Sequence, residues 1–159
     1  MANISIVTVG SLKEAYLREA VAEYKKRLSQ YARVEEIELK EERINNEDNR
    51  AEIESALTKE ADKILAAIPK DAFKIALCVE GKQYSSEELA KLIGEGCDRG
   101  GKIALVIGSS YGLSEKVKRE CDVRLSFSKL TFPHQLMKVI LFESLYRSFT
   151  ILNGKRYHK

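Results

Sequence analysis

Only three cysteines and two histidines occur in 159 residues. Cys78, Cys97 and Cys121 are odd in number and far apart, so they offer neither a disulfide framework nor a metal-ligand spacing. Reduced thiols in a cytoplasmic protein are what that usage implies. Neither His134 nor His158 stands in a pattern with cysteines or carboxylates that would hold a metal. Two prolines and nine glycines exclude a Pro-rich linker and a collagen-like chain. No apolar run approaches the roughly 20 residues that a membrane span needs. Met1 to Gly10 has neither the basic region nor the small-residue cleavage site of a secretory signal. Charge of one sign is scarce too. The 27 Lys and Arg against 24 Asp and Glu leave +3, too little alone to point to nucleic acid.

The composition that remains, 44% hydrophobic and 32% charged, is that of a folded domain rather than a disordered chain. A chain of this length makes one domain and removes roughly 68–70% of its unfolded surface from water. Residues 1–159 show no internal repeat, low-complexity stretch or compositional break. The charges are unevenly spread. Acids crowd Glu35 to Glu60, whereas Lys129 to Lys159 holds only Glu143 among Lys129, Lys138, Arg147, Lys155, Arg156 and Lys159. The C-terminal quarter is therefore locally basic, although an ordinary solvated face has the same composition.

Ile4 to Val9, Phe73 to Val79 and Ile103 to Ile107 read as buried strands, short, apolar and ended by glycine. Val34 to Leu39 reads as a strand interrupted by Glu35 and Glu36, and Val123 to Phe127 as a fifth. Between them lie helical patterns over Leu12 to Tyr31, Ile53 to Ile68, and Ser85 to about Cys97. Ser85 with Glu88 is a capping-box signature. Lys40 to Arg50 has many charges and no period, as a mobile loop would. A short helix is predicted from Ser114 and a last one from His134 to Leu152, with Pro133 in its first turn and Gly154 as its stop. Strands alternating with helices predict an α/β fold: a mainly parallel sheet with helices on both faces.

The last helix is apolar almost all round. Leu136, Met137, Val139, Ile140, Leu141, Phe142, Leu145, Tyr146, Phe149, Ile151 and Leu152 exceed one core-facing stripe. One small sheet cannot cover them all, so a symmetric dimer interface is expected.

Three segments have the composition of a binding site. Gly108-Ser109-Ser110-Tyr111-Gly112-Leu113 follows a buried strand, where α/β sheets bind small molecules. It matches neither a dinucleotide fingerprint nor a phosphate-binding lysine loop. Ser126 to Gln135 mixes hydroxyls with two phenylalanines between a strand and a helix. Such a loop offers backbone groups to a base edge and an apolar wall to a ring. Lys155-Arg156-Tyr157-His158-Lys159 interleaves bases with an aromatic, which suits phosphate and a stacked nucleobase. Taken singly, a plain turn, a self-capped loop and a frayed tail would use the same residues.

Together these runs resemble the small SPOUT methyltransferases. The resemblance rests on Val106 to Leu113, Leu125 to Gln135 with its Thr-Phe-Pro-His-Gln stretch, and the ending Tyr157-His158-Lys159. Ile6-Val7-Thr8-Val9-Gly10 and Glu23 to Leu28 extend it over the whole chain. It is nearest to the ribosomal large-subunit RNA methyltransferase H family, which methylates N3 of a pseudouridine in 23S rRNA. The resemblance implies a C-terminal trefoil knot, a homodimer, and S-adenosylmethionine bent within the knot. Carried over, the cofactor contacts fall on Leu77, Gly108, Phe127, Ser128, Lys129, Leu130, Thr131 and Phe132. Relatives commonly have a second glycine where Ser109 stands. The substrate implied is 23S rRNA of the assembled ribosome, near its decoding centre.

N3 of pseudouridine carries a proton between two carbonyls. Its methylation needs in-line placement, help with the proton, and stabilisation of charge spreading onto oxygen. His134, Arg147, Tyr157 and His158 are the candidates for those tasks. Arg147 would supply positive charge, and His134 would position the nucleotide or take the proton. Tyr157 and His158 would reach the nucleotide, over the partner subunit's cofactor in a dimer. Two other readings remain at this point. A non-catalytic RNA-binding factor would bind ribosomes but little cofactor. A flavodoxin-like nucleotide-binding or regulatory domain would be a monomer with no use for its tail.

Overall fold

The computed structural model describes residues 1–159. Its elements alternate as β1 (Ala2–Val9), α1 (Ala15–Leu28), β2 (Ala32–Leu39), α2 (Arg50–Ala67), β3 (Phe73–Gln83), α3 (Ser86–Asp98), β4 (Lys102–Ile107), α4 (Glu115–Glu120), β5 (Val123–Ser126) and α5 (His134–Leu152). All five strands pair in parallel, in the order β2-β1-β4-β3-β5.

The period-2 alternation of the strands divides the core in two. Ile4 and Ile6 of β1, Ile75 of β3, and Ile103, Leu105 and Ile107 of β4 face one way, against α1, α3 and α5. Val7, Val9, Ala76, Ala104 and Val106 face the other way, against Ala61 and Ile64 of α2 and Val117 of α4. Helices therefore cover both faces, and the central strands are largely buried, with Ser5 and Thr8 of β1 enclosed among their apolar side chains.

Two boundaries and one loop differ from the sequence expectation, each for a reason visible in the contacts. α1 begins at Ala15, not Leu12, because the preceding residues dock elsewhere. The Lys13 N–H donates to Gln135 Oε1 at 3.1 Å, and Arg18 Nη1 donates to the carbonyls of Leu12 and Lys13. The Lys40–Arg50 loop is held to α2: Glu52 accepts the backbone N–H groups of Asn45 and Asn46, and Asn49 caps the helix. β3 runs on past Gly81 to Gln83. Leu77 and Lys82 both pair with Leu125 of β5, so residues 78–81 bulge out. A Cβ on Gly81 would meet the Arg124 carbonyl oxygen at 2.7 Å. The glycine thus permits a close strand approach instead of ending the strand.

The capping box of α3 is present, with Glu88 N–H donating to Ser85 Oγ and Ser85 N–H donating to Glu88 Oε2. In α5, Leu141, Phe142, Leu145 and Phe149 are buried against α1 and α3. Leu136 and Leu152 are exposed, and Met137, Val139, Ile140, Tyr146 and Ile151 are half-buried.

One buried cation ties this helix to the sheet edge. Lys138 is 3% exposed, and its Nζ lies 2.9 Å from Glu36 Oε1 and 3.3 Å from Glu38 Oε1. Lys25 of α1 holds the other Glu36 oxygen at 2.9 Å. Burial alone would push the Glu36 carboxyl up, but the hydrogen bonds from Lys138 and Lys25 outweigh it and hold it below the usual range. Removing one partner of a buried pair leaves the other uncompensated. Lys138→Ala should therefore cost about 3 kcal/mol and lower the melting temperature by about 6–12 °C. Because the Glu36 pKa is depressed, its stabilisation is full above about pH 4.3 and fades as pH falls through the lower folded value. Thermal melts across that range should show the gap between variant and parent closing in acid.

Candidate active site

The carboxyl ends of β3, β4 and β5 open into one cavity of about 720 Å³. Three walls enclose it. The β3 bulge contributes Leu77 to Glu80, the β4–α4 loop contributes Gly108 to Leu113, and the β5–α5 segment contributes Phe127, Ser128 and Leu130 to His134. The position follows from the fold, since the ends of parallel strands leave a crevice that helices do not fill.

Glycine geometry gives the second wall its shape. Gly108 packs so tightly on the Gly112 carbonyl that a Cβ there would collide with it. Gly112 has φ +85°, and its N–H donates to the Ser109 carbonyl at 2.9 Å. The loop thus presents backbone, not side chain, along part of its length. Ser109 is buried and has a negative φ, so its Cβ imposes no left-handed strain. In the third wall, Ser126 Oγ donates to the Ser128 carbonyl, and Ser128 Oγ accepts the Leu130 N–H. These hydroxyls rigidify the loop itself. Phe127, Leu130, Phe132 and Met137 give an apolar surface large enough for a ring.

A second constellation lies at the other end of α5. Glu143 Oε1 accepts Arg147 Nε at 3.1 Å, Arg147 Nη2 at 2.6 Å and the Tyr157 hydroxyl at 3.0 Å. The Arg147 guanidinium lies over the Tyr157 ring, 4.7 Å from its centroid, and Tyr157 meets Tyr146 edge-on. His158 closes the group, with Nδ1 3.2 Å from Arg147 Nη1 and Nε2 2.8 Å from Glu87 Oε1. Arginine can only donate, so Nδ1 is the acceptor and Nε2–H donates to Glu87. The tail is therefore anchored, not frayed. Burial and the Glu143 hydrogen bond push the Tyr157 phenol up to about 12. It is a neutral donor at physiological pH. The hydrogen bond to Glu143 likewise raises the Arg147 pKa and keeps it charged.

A family model described as "Predicted SPOUT methyltransferase" matches residues 2–158. The chain belongs to the SPOUT methyltransferase family. It is 49% identical over 158 residues to the Ribosomal RNA large subunit methyltransferase H of Shouchella clausii, covering 99% of each chain. The fold is similar to the crystal structure of a probable methyltransferase from Bordetella pertussis, with TM-score 0.57, 14% identity, and coverage of 92% of this chain and 96% of that one. A methyltransferase from Legionella pneumophila, solved with bound S-adenosylmethionine, matches with TM-score 0.50 at 14% identity, covering 91% of this chain and 65% of that one.

In this SPOUT methyltransferase, the residues expected to hold the cofactor fall almost wholly on the cavity. Leu77, Gly108, Phe127, Ser128, Leu130, Thr131 and Phe132 line it. Lys129 is exposed and not part of the lining, so the structure does not place it with the others. Among the four residues expected at the chemistry, only His134 borders the cavity. Arg147 sits thirteen residues along α5 from His134, about 20 Å by helical rise, and Tyr157 and His158 cluster with it. Glu143, the hub of that cluster, escaped the sequence reading. Its signal was the i,i+4 spacing to Arg147, which ordinary surface pairs share.

The Tyr157 value gives a direct test. An ultraviolet difference titration should show one phenol ionising near pH 12, absent in Tyr157→Phe. The raised value means that the anchor is intact below about pH 10 and loosens as pH climbs towards the folded value.

Proposed function

We propose that this SPOUT methyltransferase uses S-adenosylmethionine to methylate N3 of a pseudouridine in 23S rRNA. It acts on the assembled ribosome near the decoding centre, as a homodimer in the cytoplasm. Residues 1–159 form one domain whose cavity loops belong to a C-terminal trefoil knot. The observation that carries the reading is the cavity itself, built at three strand ends from the segments that carry the family resemblance.

The cavity fits the cofactor on structural grounds. Gly108 has no room for a Cβ and Gly112 takes a positive φ, so the loop turns backbone to the cavity there, and the apolar wall from Phe127 to Phe132 is ring-sized. When bound, S-adenosylmethionine supplies an electrophilic methyl group on a positively charged sulfur. The chain's residues do the rest. The rigid loops fix the approach line, which is the largest contribution. His134 at the cavity edge positions the nucleotide or takes the N3 proton. With the cofactor held by these loops, His134 would take the N3 proton released as the methyl group is transferred. Arg147 stabilises charge spreading onto the carbonyl oxygens, and Tyr157 donates a hydrogen bond as a neutral phenol. His158 can serve as base only after its Nδ1 lone pair leaves Arg147.

The 20 Å between His134 and the Arg147 cluster argues that one subunit cannot complete a site alone. The half-covered α5 supplies the surface for a partner. In the dimer, the partner subunit's tail cluster meets this subunit's cavity. The basic surface is small, and affinity for free RNA grows with the number of phosphate contacts. A preformed ribosomal surface supplies the missing recognition.

Labelled methyl transfer to ribosomes from a strain lacking the protein tests the reading. Label should appear at one pseudouridine, with whole ribosomes far better than naked rRNA at physiological salt. Ribosome binding with no transfer would favour the non-catalytic factor. Arg147→Ala should lower turnover by about 10²–10³-fold, and Gly108→Ala should abolish cofactor binding. Mixed dimers of these two variants should regain activity, because one composite site is then intact. No recovery on mixing would place each site within one subunit.

A further inference from the structure

Of the 22 residues that line the cavity, only Glu80 and Lys118 are fixed charges at neutral pH. Glu80 stands on the β3 bulge, whose course is set where Gly81 packs on the Arg124 carbonyl. Lys118 reaches it from α4, and its Nζ donates to Glu80 Oε1. The two side chains are unequally open, Lys118 at 14% exposed and Glu80 at 55%. Lys118 donates to no other residue, and the second Glu80 oxygen accepts from no other residue. The hydrogen bond from Lys118 holds the Glu80 carboxyl below the usual range, so it is an anion at neutral pH. The neighbouring charges are engaged elsewhere. Arg124 pairs with Glu115 at 2.9 Å, and neither lines the cavity.

We propose that Glu80 and Lys118 form the subsite for the amino-acid end of S-adenosylmethionine, Glu80 accepting from its ammonium group and Lys118 donating to its carboxylate. The inference rests on the reading that the cavity binds this cofactor. The amino-acid end carries an ammonium and a carboxylate on one carbon. Moving either group out of water is costly unless an opposite charge meets it. The other polar groups of the lining are hydroxyls, a thiol and His134, which bring no pair of opposite charges. The Glu80–Lys118 pair brings both signs side by side. A zwitterion laid against it sets each charge beside its opposite, in the strong, charge-assisted class of hydrogen bond. The layout of the walls agrees. The pair borders the β3 bulge, whereas the ring-sized apolar surface belongs to the β5–α5 segment, so the adenine and the amino-acid end each have a wall. A half-open ion pair contributes little to folding stability, so Glu80→Gln tests binding rather than fold.

The test is calorimetry on the full-length protein with three ligands. S-adenosylhomocysteine keeps the whole amino-acid end, its decarboxylated analogue keeps only the ammonium, and 5′-methylthioadenosine has the same adenosine and thioether with neither charge. The parent should bind S-adenosylhomocysteine about a hundred-fold more tightly than 5′-methylthioadenosine, at about ten-fold for each bond to a charged group. Glu80→Gln should weaken S-adenosylhomocysteine and the decarboxylated analogue by about ten-fold each and leave 5′-methylthioadenosine within about two-fold. Lys118→Met should weaken S-adenosylhomocysteine by about ten-fold but not the decarboxylated analogue. Parent-like binding of S-adenosylhomocysteine by Glu80→Gln would overturn the proposal, even if Lys118→Met failed to fold. So would equal losses of S-adenosylhomocysteine and 5′-methylthioadenosine, because the pair would then shape the cavity without reading the amino-acid end. A parent that bound none of the three would overturn the cofactor reading and the proposal together, whereas either of the first two results overturns the proposal alone.

Discussion

At two points in this molecule, backbone meets backbone with no space for a Cβ. Gly108 lies on the Gly112 carbonyl, and Gly81 lies on Arg124. The second contact lets β3 bulge and then pair again with β5, which throws Cys78, Val79 and Glu80 outward. The first folds the β4–α4 loop back on itself. The cavity exists because these two detours leave from neighbouring strands at the same end of the sheet. Its walls are therefore made by sheet geometry and would deform only together with the strands that carry them.

α5 links everything the molecule does. Its first turn edges the cavity, its middle fills the core, and its far end holds the Glu143 cluster. Lys138 fixes the helix to β2 by ion pairs that leave little freedom to slide. Within one chain, about 20 Å of helix separates the cavity edge at His134 from Arg147. The charges in the cluster are mutually satisfied. Arg147 and Tyr157 share one carboxylate oxygen, and His158 is held at both nitrogens. Any further acceptor for Arg147, Tyr157 or His158 would have to displace Glu143 or Glu87.

The central sheet was legible because Ile103–Ile107 of β4 is an unbroken apolar run buried on both faces, and β1 keeps Ile4, Ile6, Val7 and Val9 among only three polar residues. The start of α3 was legible because a capping box has a fixed spacing. Gly81 misled because a glycine after an apolar run reads as a stop, and only the register with β5 shows it as a close approach. The α1 start was hidden by one hydrogen bond from Lys13 to Gln135, more than a hundred residues away. Lys129 falls within the stretch that the resemblance covers, but the chain turns that side chain to solvent. Glu143 stayed hidden because a Glu–Arg pair one turn apart reads the same on any solvated helix.

The strand order also governs how the chain must assemble. β1 pairs with β4, joining Asn3 to Lys102 across most of the sequence. The sheet cannot form its centre from local pieces. An apolar N-terminal strand must wait for a partner made about a hundred residues later, and parallel pairings of that span form slowly. In the meantime β1 has only β2 to cover its hydrogen-bonding edge. A nascent chain of this topology is open to misassociation until β4 arrives, so its yield depends on synthesis rate and chaperone cover as much as on final stability.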